Sequence, residues 1–268
     1  MCNYNKPLYG GLIMNTKMIM LFLIGILSFS FLSNAGTIDP YTPDKKYLEY
    51  GEKFHSIVKI CGSYEDGNIF CASASLIDDH NFLTAAHVVK GASICYITIG
   101  EKTFPIKTVI VNKTFDDSFG VGDIAIGYSE EPFGLDHYPP LYNTDDEVGK
   151  ICSIAGYGLT GTFETGINKS DSKKRAGSNK VESTEKDMLI CSPSKRGDID
   201  YTSLEFMIGS GDSGGGLFID GKLAGINSCV MTVGKAPMSK YNEESGHTRV
   251  SKFIDWIEKH RIKKIKND

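Results

Sequence analysis

The stretch "GSGDSGGGLF", residues 209–218, decides how this chain folds and what it does. A serine and an aspartate stand in a row of glycines directly before an apolar strand. Glycine adopts positive φ at little cost and lets another molecule approach the backbone. An isolated Gly-Asp-Ser-Gly is explained by a tight turn. The alternative is a nucleophilic Ser213 on a turn whose backbone N–H groups point at a developing oxyanion.

A serine nucleophile needs a base and a group that orients the base, and two upstream stretches supply candidates. The run "LTAAHVV" (83–89) places His87 at the end of an apolar segment, and "GDIAIG" (122–127) places Asp123 before an alternating strand. The remaining histidines are each explained by a structural or surface role; they are His55, His80, His137, His247 and His260.

These three motifs, in this order, resemble the chymotrypsin/trypsin family of serine proteases. The resemblance extends over residues 50–260, and three further stretches support it: "ICSIAGYG" (151–158), "LAGINS" (223–228) and "HTRVSKFIDWI" (247–257). The pattern Gly-x-Ser-x-Gly also occurs in α/β-hydrolases, but there the serine precedes the acid and the histidine. Here both precede the serine, as in the chymotrypsin arrangement.

The resemblance implies an all-β fold of two antiparallel six-stranded β-barrels with a C-terminal α-helix. It implies that Ser213 attacks the peptide carbonyl, that His87 carries the proton and that Asp123 orients His87. The N–H groups of Gly211 and Ser213 would form the oxyanion hole. This chemistry requires no metal and no cofactor. The expected partners are protein or peptide substrates, with an activating protease or a protein inhibitor as further candidates, and no nucleic acid.

Asp212 raises the question of activation. In animal members of the family the matching aspartate is buried and pairs with an α-amino group freed by zymogen cleavage. No "IVGG"-like terminus is present in the corresponding stretch "DPYTPDKKYLEYGEKF" (39–54). Lys45-Lys46 offers a cleavage site, although the residues after it resemble the usual terminus poorly. Three alternatives therefore stay open: an active protease, a dormant zymogen, and a protease-like binding protein.

The resemblance also indicates the specificity pocket. Met207 occupies the position where trypsin-like members carry the aspartate that binds Lys or Arg, and Ser228 and Val230 fall on the strand beside the cleft. A preference for small or medium apolar residues follows, rather than for basic ones. His247 falls near the pocket, so recognition of an acidic side chain is the alternative.

Short apolar runs separated by Gly, Asp and Asn are typical of strands in β-barrels or sandwiches. Asp220-Gly221 predicts a two-residue hairpin turn, and the polar stretch 160–186 predicts an exposed loop followed by a strand. The predicted organisation is a signal peptide over 1–35 (with Met14 as an alternative start), an N-terminal or pro-segment over 36–50, a first barrel over 51–135, and a second barrel with the C-terminal helix over 136–268. Residues 131–150 form the crossing between the barrels.

The N-terminus indicates export to a secreted or periplasmic location. Lys17 precedes an apolar run over 18–31, which at about 14 residues is short of the roughly 20 needed to span a bilayer. Ser33-Asn34-Ala35 is typical of signal peptidase sites, and a retained signal anchor is the alternative. Cleavage there removes two lysines and no acid, which takes the net charge from −4 to −6, unlike a nucleic-acid-binding protein.

Export also changes which cysteines remain and how they are expected to pair. Cleavage removes Cys2 and leaves six, an even number that suggests disulfides in an exported chain. Cys61 and Cys71 flank a predicted hairpin and form the first expected pair, and Cys152 with Cys191 is the second. No Cys/His spacing suggests zinc.

Overall fold

The computed structural model describes residues 36–117, 120–232 and 238–263, so the predicted signal peptide over 1–35 lies outside the described residues. All described residues belong to one compact unit. In this part of the chain strands dominate, and no helix is long and apolar enough to cross a membrane.

The first sheet closes into a barrel-like structure. Its strands are β2 (Ile57–Tyr64), β3 (Ile69–Leu76), β4 (Asn81–Thr84), β5 (Ala92–Ile99), β6 (Lys102–Ile106), β7 (Thr108–Val111) and β8 (Ala125–Tyr128). They pair antiparallel in the order β6-β5-β2-β3-β4-β8-β7. The two edge strands are separated in sequence only by Lys107. They are therefore halves of one bent strand, and the seven segments amount to the predicted six strands.

The second sheet repeats this arrangement. Its strands are β9 (Ile151–Gly156), β12 (Arg175–Lys180), β13 (Ser183–Glu185), β14 (Met188–Cys191), β16 (Gly216–Ile219), β17 (Lys222–Met231) and β18 (Glu244–Arg249). The antiparallel order is β12-β9-β16-β17-β18-β14-β13. Only Val181 and Glu182 separate the edge strands. Helix α3 (Ile254–His260) follows a 3₁₀ turn (Val250–Lys252), so the predicted fold of two barrels with a C-terminal helix is confirmed.

A small third sheet brings the N-terminal segment onto the second barrel. Strand β1 (Thr37–Ile38) pairs parallel with β10 (Thr160–Thr162) and antiparallel with β15 (Phe206–Met207), and β11 (Gly166–Lys169) completes the sheet. The polar stretch 160–186 thus contains four strands where the sequence predicts a loop and one strand. Its strands are short and carry few apolar residues, so the sequence pattern does not mark them as strands.

Helix α1 (Asp44–Gly51) packs the next part of the N-terminal segment against β12. Tyr47 is fully buried, and Arg175, whose side chain is also buried, donates hydrogen bonds to Asp44 at 2.6 Å (Nε) and 2.8 Å (Nη2). The candidate cleavage site Lys45-Lys46 therefore lies inside a packed helix. Residues 36–51 are an integral part of the described fold.

The predicted hairpin turn is present, and one of the two predicted disulfides forms. The predicted hairpin joins β16 to β17 through Asp220 and Gly221, both at positive φ. Cys61 and Cys71 are cross-strand neighbours on β2 and β3 and form the predicted disulfide. The second expected pair is not formed, because Cys152 and Cys191 are free thiols whose Sγ atoms lie 4.0 Å apart in the barrel interior.

A buried ion pair fixes the segment that crosses between the barrels. Glu147, fully buried, accepts hydrogen bonds from Arg249 at the end of β18 (2.9 Å from Nε and 2.5 Å from Nη2) and from Ser251 Oγ (2.9 Å). Burial acts to raise the pKa of Glu147, but the hydrogen bonds and the charge of Arg249 outweigh it and hold that pKa below its usual value.

We expect Glu147→Gln to lower the free energy of unfolding by about 3 kcal/mol, because it leaves Arg249 buried without its counter-charge. Since the carboxyl pKa is lowered in the folded state, the wild-type advantage is present above the unfolded pKa and is lost as the pH falls through the folded one. Urea denaturation at pH 7 and at pH 3 measures both effects.

Glu130→Gln is the matched control, because the Lys107–Glu130 pair is solvent-exposed at 3.3 Å. Its cost should stay below about 1 kcal/mol. Equal costs for the two variants would contradict the structural role of the buried pair.

Candidate active site

The structure brings His87, Asp123 and Ser213 into one hydrogen-bonded series between the barrels. His87 lies on the short helix α2 (Ala86–Val89) that follows β4, and Asp123 precedes β8. His87 Nδ1 is 2.7 Å from Asp123 Oδ2, and His87 Nε2 is 3.0 Å from Ser213 Oγ. With Nδ1 protonated, the imidazole donates to the carboxylate and its Nε2 accepts from the serine hydroxyl.

Asp123 is only 1% exposed, and its surroundings keep it ionised. His87 N–H donates to Oδ1 at 2.9 Å, and Ser228 Oγ–H donates to Oδ2 at 2.6 Å. Burial by itself would raise the pKa of Asp123, but the hydrogen bonds and charge of His87 and the bond from Ser228 lower it below its usual value. The carboxylate therefore holds the imidazole in one orientation and one tautomer.

Ser213 lies on a turn that glycines make possible. Gly211 and Gly214 both have positive φ, at +93° and +84°. A Cβ at Gly214 would lie 2.1 Å from Ser73 O and from Thr84 Oγ1, so no larger residue fits where the turn touches the first barrel. The Ser73 N–H donates to Ser213 O at 2.9 Å, which fixes the nucleophile against β3.

Two backbone donors beside Ser213 remain available. The carbonyl of Ser210 accepts a hydrogen bond from Leu159 N–H at 2.6 Å, and that of Gly211 accepts one from Ser73 Oγ–H at 3.0 Å. Among the described residues, the N–H groups of Gly211 and Ser213 donate to no protein group. Free, adjacent N–H donors of this kind stabilise a developing oxyanion.

Asp212 is fully buried directly beside the nucleophile. Its carboxylate accepts hydrogen bonds from the N–H groups of Gly36 (2.8 Å), Gly158 (2.7 Å) and Gly209 (2.7 Å). Burial raises the pKa of Asp212 to about 7, although these hydrogen bonds offset part of the rise. A Cβ at Gly156 would lie 2.3 Å from its Oδ1, which gives a physical reason for the glycines in "ICSIAGYG".

Gly36, which no motif in the sequence marks, reaches Asp212 because it has no side chain. Its φ is +42°, and a Cβ there would lie 2.3 Å from the Phe206 ring and 2.5 Å from Met207 O. The signal in the sequence is its position, immediately after the predicted signal peptidase site at Ala35. The pairing with a residue 176 positions away could not be read from the pattern.

A cavity of about 150 Å³ opens beside Ser213 and is called the specificity cavity here. The described residues that line it are uncharged: Ile167, Ile208, Gly209, Ser210, Ser213, Ser228, Cys229, Val230 and Ser239. Ser228 and Val230, which the family resemblance assigns to the specificity pocket, are among these lining residues. The cavity is small and has apolar walls at Ile167, Ile208 and Val230.

Two other residues considered for the pocket do not line this cavity. Met207 is fully buried on β15 and pairs with Thr37, whereas its neighbour Ile208 faces the cavity. His247 is fully buried and bonded to Asn227 Oδ1 (2.9 Å) and Ser245 Oγ (3.1 Å), and burial lowers its pKa to about 3. A neutral His247 behind the cavity wall offers no charge to an acidic side chain.

The described residues contain no cluster of three or more His, Cys, Asp or Glu side chains suited to a metal ion. The chemical groups assembled here are a serine hydroxyl, an imidazole, a buried carboxylate and two N–H donors.

Comparison with known proteins agrees with this fold. The structure described as HL collagenase is 18% identical with a TM-score of 0.60, over 77% of this chain and 93% of that one. Neuropsin, a serine protease expressed in the limbic system of mouse brain, is 20% identical with a TM-score of 0.61, over 78% and 95%. Both share the fold. The trypsin family model matches residues 57–257. The chain therefore belongs to the trypsin family, and it is a serine-type endopeptidase.

Proposed function

We propose that this protein is an exported endopeptidase that cleaves peptide bonds through a covalent acyl-enzyme on Ser213. One observation carries the proposal: the continuous series Asp123–His87–Ser213, at 2.7 Å and 3.0 Å, ends beside two free N–H donors. Each group in the series has the partner that its role requires.

In the first half of the reaction, Ser213 Oγ attacks the peptide carbonyl carbon while its proton passes to His87 Nε2. The carbonyl oxygen becomes an oxyanion, which accepts hydrogen bonds from the N–H groups of Gly211 and Ser213. Asp123 stabilises the imidazolium that forms. His87 then gives its proton to the amine nitrogen, the C–N bond breaks, and the acyl group stays on Ser213 as an ester.

In the second half, a water molecule takes the place of the departed amine. His87 removes its proton, the hydroxide attacks the ester, and the same N–H donors bind the second oxyanion. The ester bond breaks, Ser213 Oγ recovers a proton from His87, and the carboxylic acid product leaves. No group is consumed in the cycle.

The specificity cavity supports a preference for small or medium apolar residues at the position before the cleaved bond. Its volume of about 150 Å³ and its uncharged lining favour such side chains over Lys and Arg. A basic side chain would lose water there without meeting a counter-charge from the described residues.

Gly36 supports a second part of the proposal, namely that removal of the leader after Ala35 completes the active site. In the uncleaved chain, Asp212 receives only N–H dipoles from Gly36, Gly158 and Gly209. Cleavage would convert the Gly36 amide nitrogen into a charged α-amino group at the same place. A buried carboxylate gains strongly from such a partner. No activating protease is then needed.

Ser213→Ala and His87→Ala should each lower kcat by a factor of about 10⁶, because the triad acts as a unit. The purified chain 36–268 is treated with a phosphonate serine-hydrolase probe, and peptide mass spectrometry locates the adduct. We expect labelling at Ser213 alone. An unlabelled wild-type chain would instead support the protease-like binding protein.

Val230→Gly should widen the specificity cavity. We expect the ratio of kcat/KM for Phe over Val before the cleaved bond to rise by about tenfold or more, since one methylene in an apolar pocket is worth a factor of 10 to 200. A peptide library measures the ratio, with the surface variant Val148→Gly as control. An unchanged ratio would place the pocket elsewhere.

The chain that begins at Gly36 should be more active and more stable than one that retains Ala35 before it. In the chain that retains Ala35, the pKa of Asp212 is raised to about 7. The free energy of unfolding of that chain therefore falls as the pH rises from 3.8, the pKa of Asp212 in the unfolded state, to about 7. In the chain with the free amine the carboxylate is paired. The difference in Tm between the chain that begins at Gly36 and the chain that retains Ala35 should therefore widen between pH 4 and pH 7.

Thermal melts and probe labelling of both chains measure this effect. Asp212→Asn provides the control, because without the carboxylate the two N-termini should behave alike. Equal Tm values at pH 7 for the Gly36 chain and the extended chain would refute the proposed pairing.

A further inference from the structure

A buried carboxylate with no part in the reaction steps lies in the N-terminal segment. Asp39 is 1% exposed. Its carboxylate accepts hydrogen bonds from four groups: Tyr201 Oη–H (2.7 Å), Arg196 Nε–H (2.8 Å), Thr42 Oγ1–H (2.9 Å) and Tyr41 N–H (3.0 Å). Burial acts to raise the pKa of Asp39, but these hydrogen bonds outweigh it and lower the pKa. The side chain is therefore held as an anion.

Two of the four donors come from a distant part of the chain. Arg196 and Tyr201 belong to the irregular stretch between β14 and β15, residues 192–205, which we call the clamp segment. Arg196 Nη2–H also donates to Thr42 Oγ1 at 2.8 Å, and its guanidinium carbon lies 5.5 Å from the centre of the Tyr41 ring. The clamp segment thus holds residues 39–42 through an ion pair, hydrogen bonds and a cation–π contact.

The clamp segment is itself fixed by a second buried carboxylate. Glu205 is fully buried, and its Oε1 accepts a hydrogen bond from the Ser194 N–H at 3.0 Å. Its Oε2 accepts hydrogen bonds from the N–H and the Oγ1–H of Thr202, at 2.8 Å and 2.7 Å. Both ends of the stretch 194–202 are therefore joined to one side chain, which limits how far the donors between them can move.

The N-terminal segment and the clamp segment meet next to the active site. The clamp segment runs directly into β15, which pairs with β1, and then into the wall of the specificity cavity at Ile208. The N-terminal segment is thus attached to one stretch of chain at two points, the β1–β15 pairing and the Asp39 carboxylate. Gly36 lies just before β1, where its N–H donates to Asp212 at 2.8 Å.

Strand β1 alone holds this segment weakly. It contains only two residues, and chain ends with few backbone hydrogen bonds fray. Removal of the leader would make Gly36 such an end. A second attachment three residues further along the chain restricts this fraying, because it fixes the other side of the short strand.

We propose that Asp39 is a positioning residue, which anchors the new N-terminus through the clamp segment and so keeps the α-amino group of Gly36 beside Asp212. Asp39 does not touch the substrate. Its effect passes through Gly36 and Asp212 to the turn that carries the oxyanion-hole donors. The inference rests on the proposed function and on the proposed removal of the leader.

Asp39→Asn tests the anchor with little change of shape. Donors face both oxygen atoms of the carboxylate, so the amide nitrogen of Asn opposes a donor in either orientation. The variant and the wild type are each prepared as two chains, one that begins at Gly36 and one that retains Ala35. The rate constant of phosphonate labelling at Ser213 is measured for both, and their ratio gives the advantage of the Gly36 terminus.

For the wild type we expect the Gly36 chain to be labelled faster by about tenfold or more, because one lost oxyanion-hole donor already costs a factor of about 100. Asp39→Asn should bring this ratio close to one, since a displacement of about 1 Å away from the reacting atoms can cost a similar factor. A general loss of stability lowers the labelling of both chains alike and leaves the ratio unchanged. An unchanged ratio in Asp39→Asn would overturn the anchor.

Two further variants locate the effect. Glu164→Gln is the matched control, because Glu164 is an exposed acid that contacts the same segment at the Tyr41 hydroxyl (3.4 Å), and it should keep the wild-type ratio. Tyr201→Phe removes one hydrogen bond and leaves the Arg196 ion pair, so it should lower the ratio by about threefold. If Asp39→Asn does not fold, Tyr201→Phe decides, and a wild-type ratio there overturns the anchor.

The same measurements separate the levels of the proposal. A labelled wild type whose advantage at Gly36 persists in Asp39→Asn refutes the anchor and leaves the proposed function standing. Equal labelling of the two wild-type chains refutes the Gly36–Asp212 pairing and the anchor with it, but not the endopeptidase. A wild type that is unlabelled in both chains refutes all three.

Discussion

The buried carboxylate of Asp212 is the constraint on which the active site depends. It binds three backbone N–H groups that belong to the N-terminal segment, the turn after β9 and the nucleophile turn itself. Because a buried charge is costly when it lacks partners, these segments must meet at one place. The nucleophile turn is held at one end by this carboxylate and at the other by the contact of Gly214 with β3 and β4. The N–H groups of Gly211 and Ser213, which we propose as oxyanion-hole donors, lie between these two fixed points.

The same logic explains why the site lies between two barrels. The first barrel contributes His87 and Asp123, and the second contributes Ser213 together with Ser228, which donates to Asp123. Hydrogen bonds from one barrel to the other, such as Ser73 to Ser213 and Thr248 to the Asp123 carbonyl, fix the relative position of the contributing strands. Such rigidity suits a reaction that depends on preorganised donors rather than on a moving loop.

Much of this arrangement could be predicted from the sequence, and the limits have physical causes. The barrels, the C-terminal helix, the Asp220-Gly221 hairpin and the Cys61–Cys71 disulfide follow from local patterns and from the family resemblance. Gly36 could not be found in this way, because its importance comes from space left by Phe206 and Met207, which lie far away in sequence. Ile167 and Ser239 could not be found for a similar reason, since strand β11 and the segment before β18 meet the cleft only after folding. The expected Cys152–Cys191 bond rested on the even number of cysteines, and that number does not determine where the sulfur atoms lie in the fold.

The closure of both sheets has a consequence for the lifetime of the enzyme. A peptide bond is cleaved when its backbone lies extended and unpaired across the cleft. In each barrel the two edge strands are consecutive segments of one bent strand, so few edges are open to a second copy of the enzyme. The proposed activity would therefore direct self-digestion to the connecting segments. Among the described residues, Ile199 stands out, because it is fully exposed between β14 and β15 and offers an aliphatic side chain on an irregular stretch. The architecture that brings His87, Asp123 and Ser213 together would also restrict where the enzyme can cut itself.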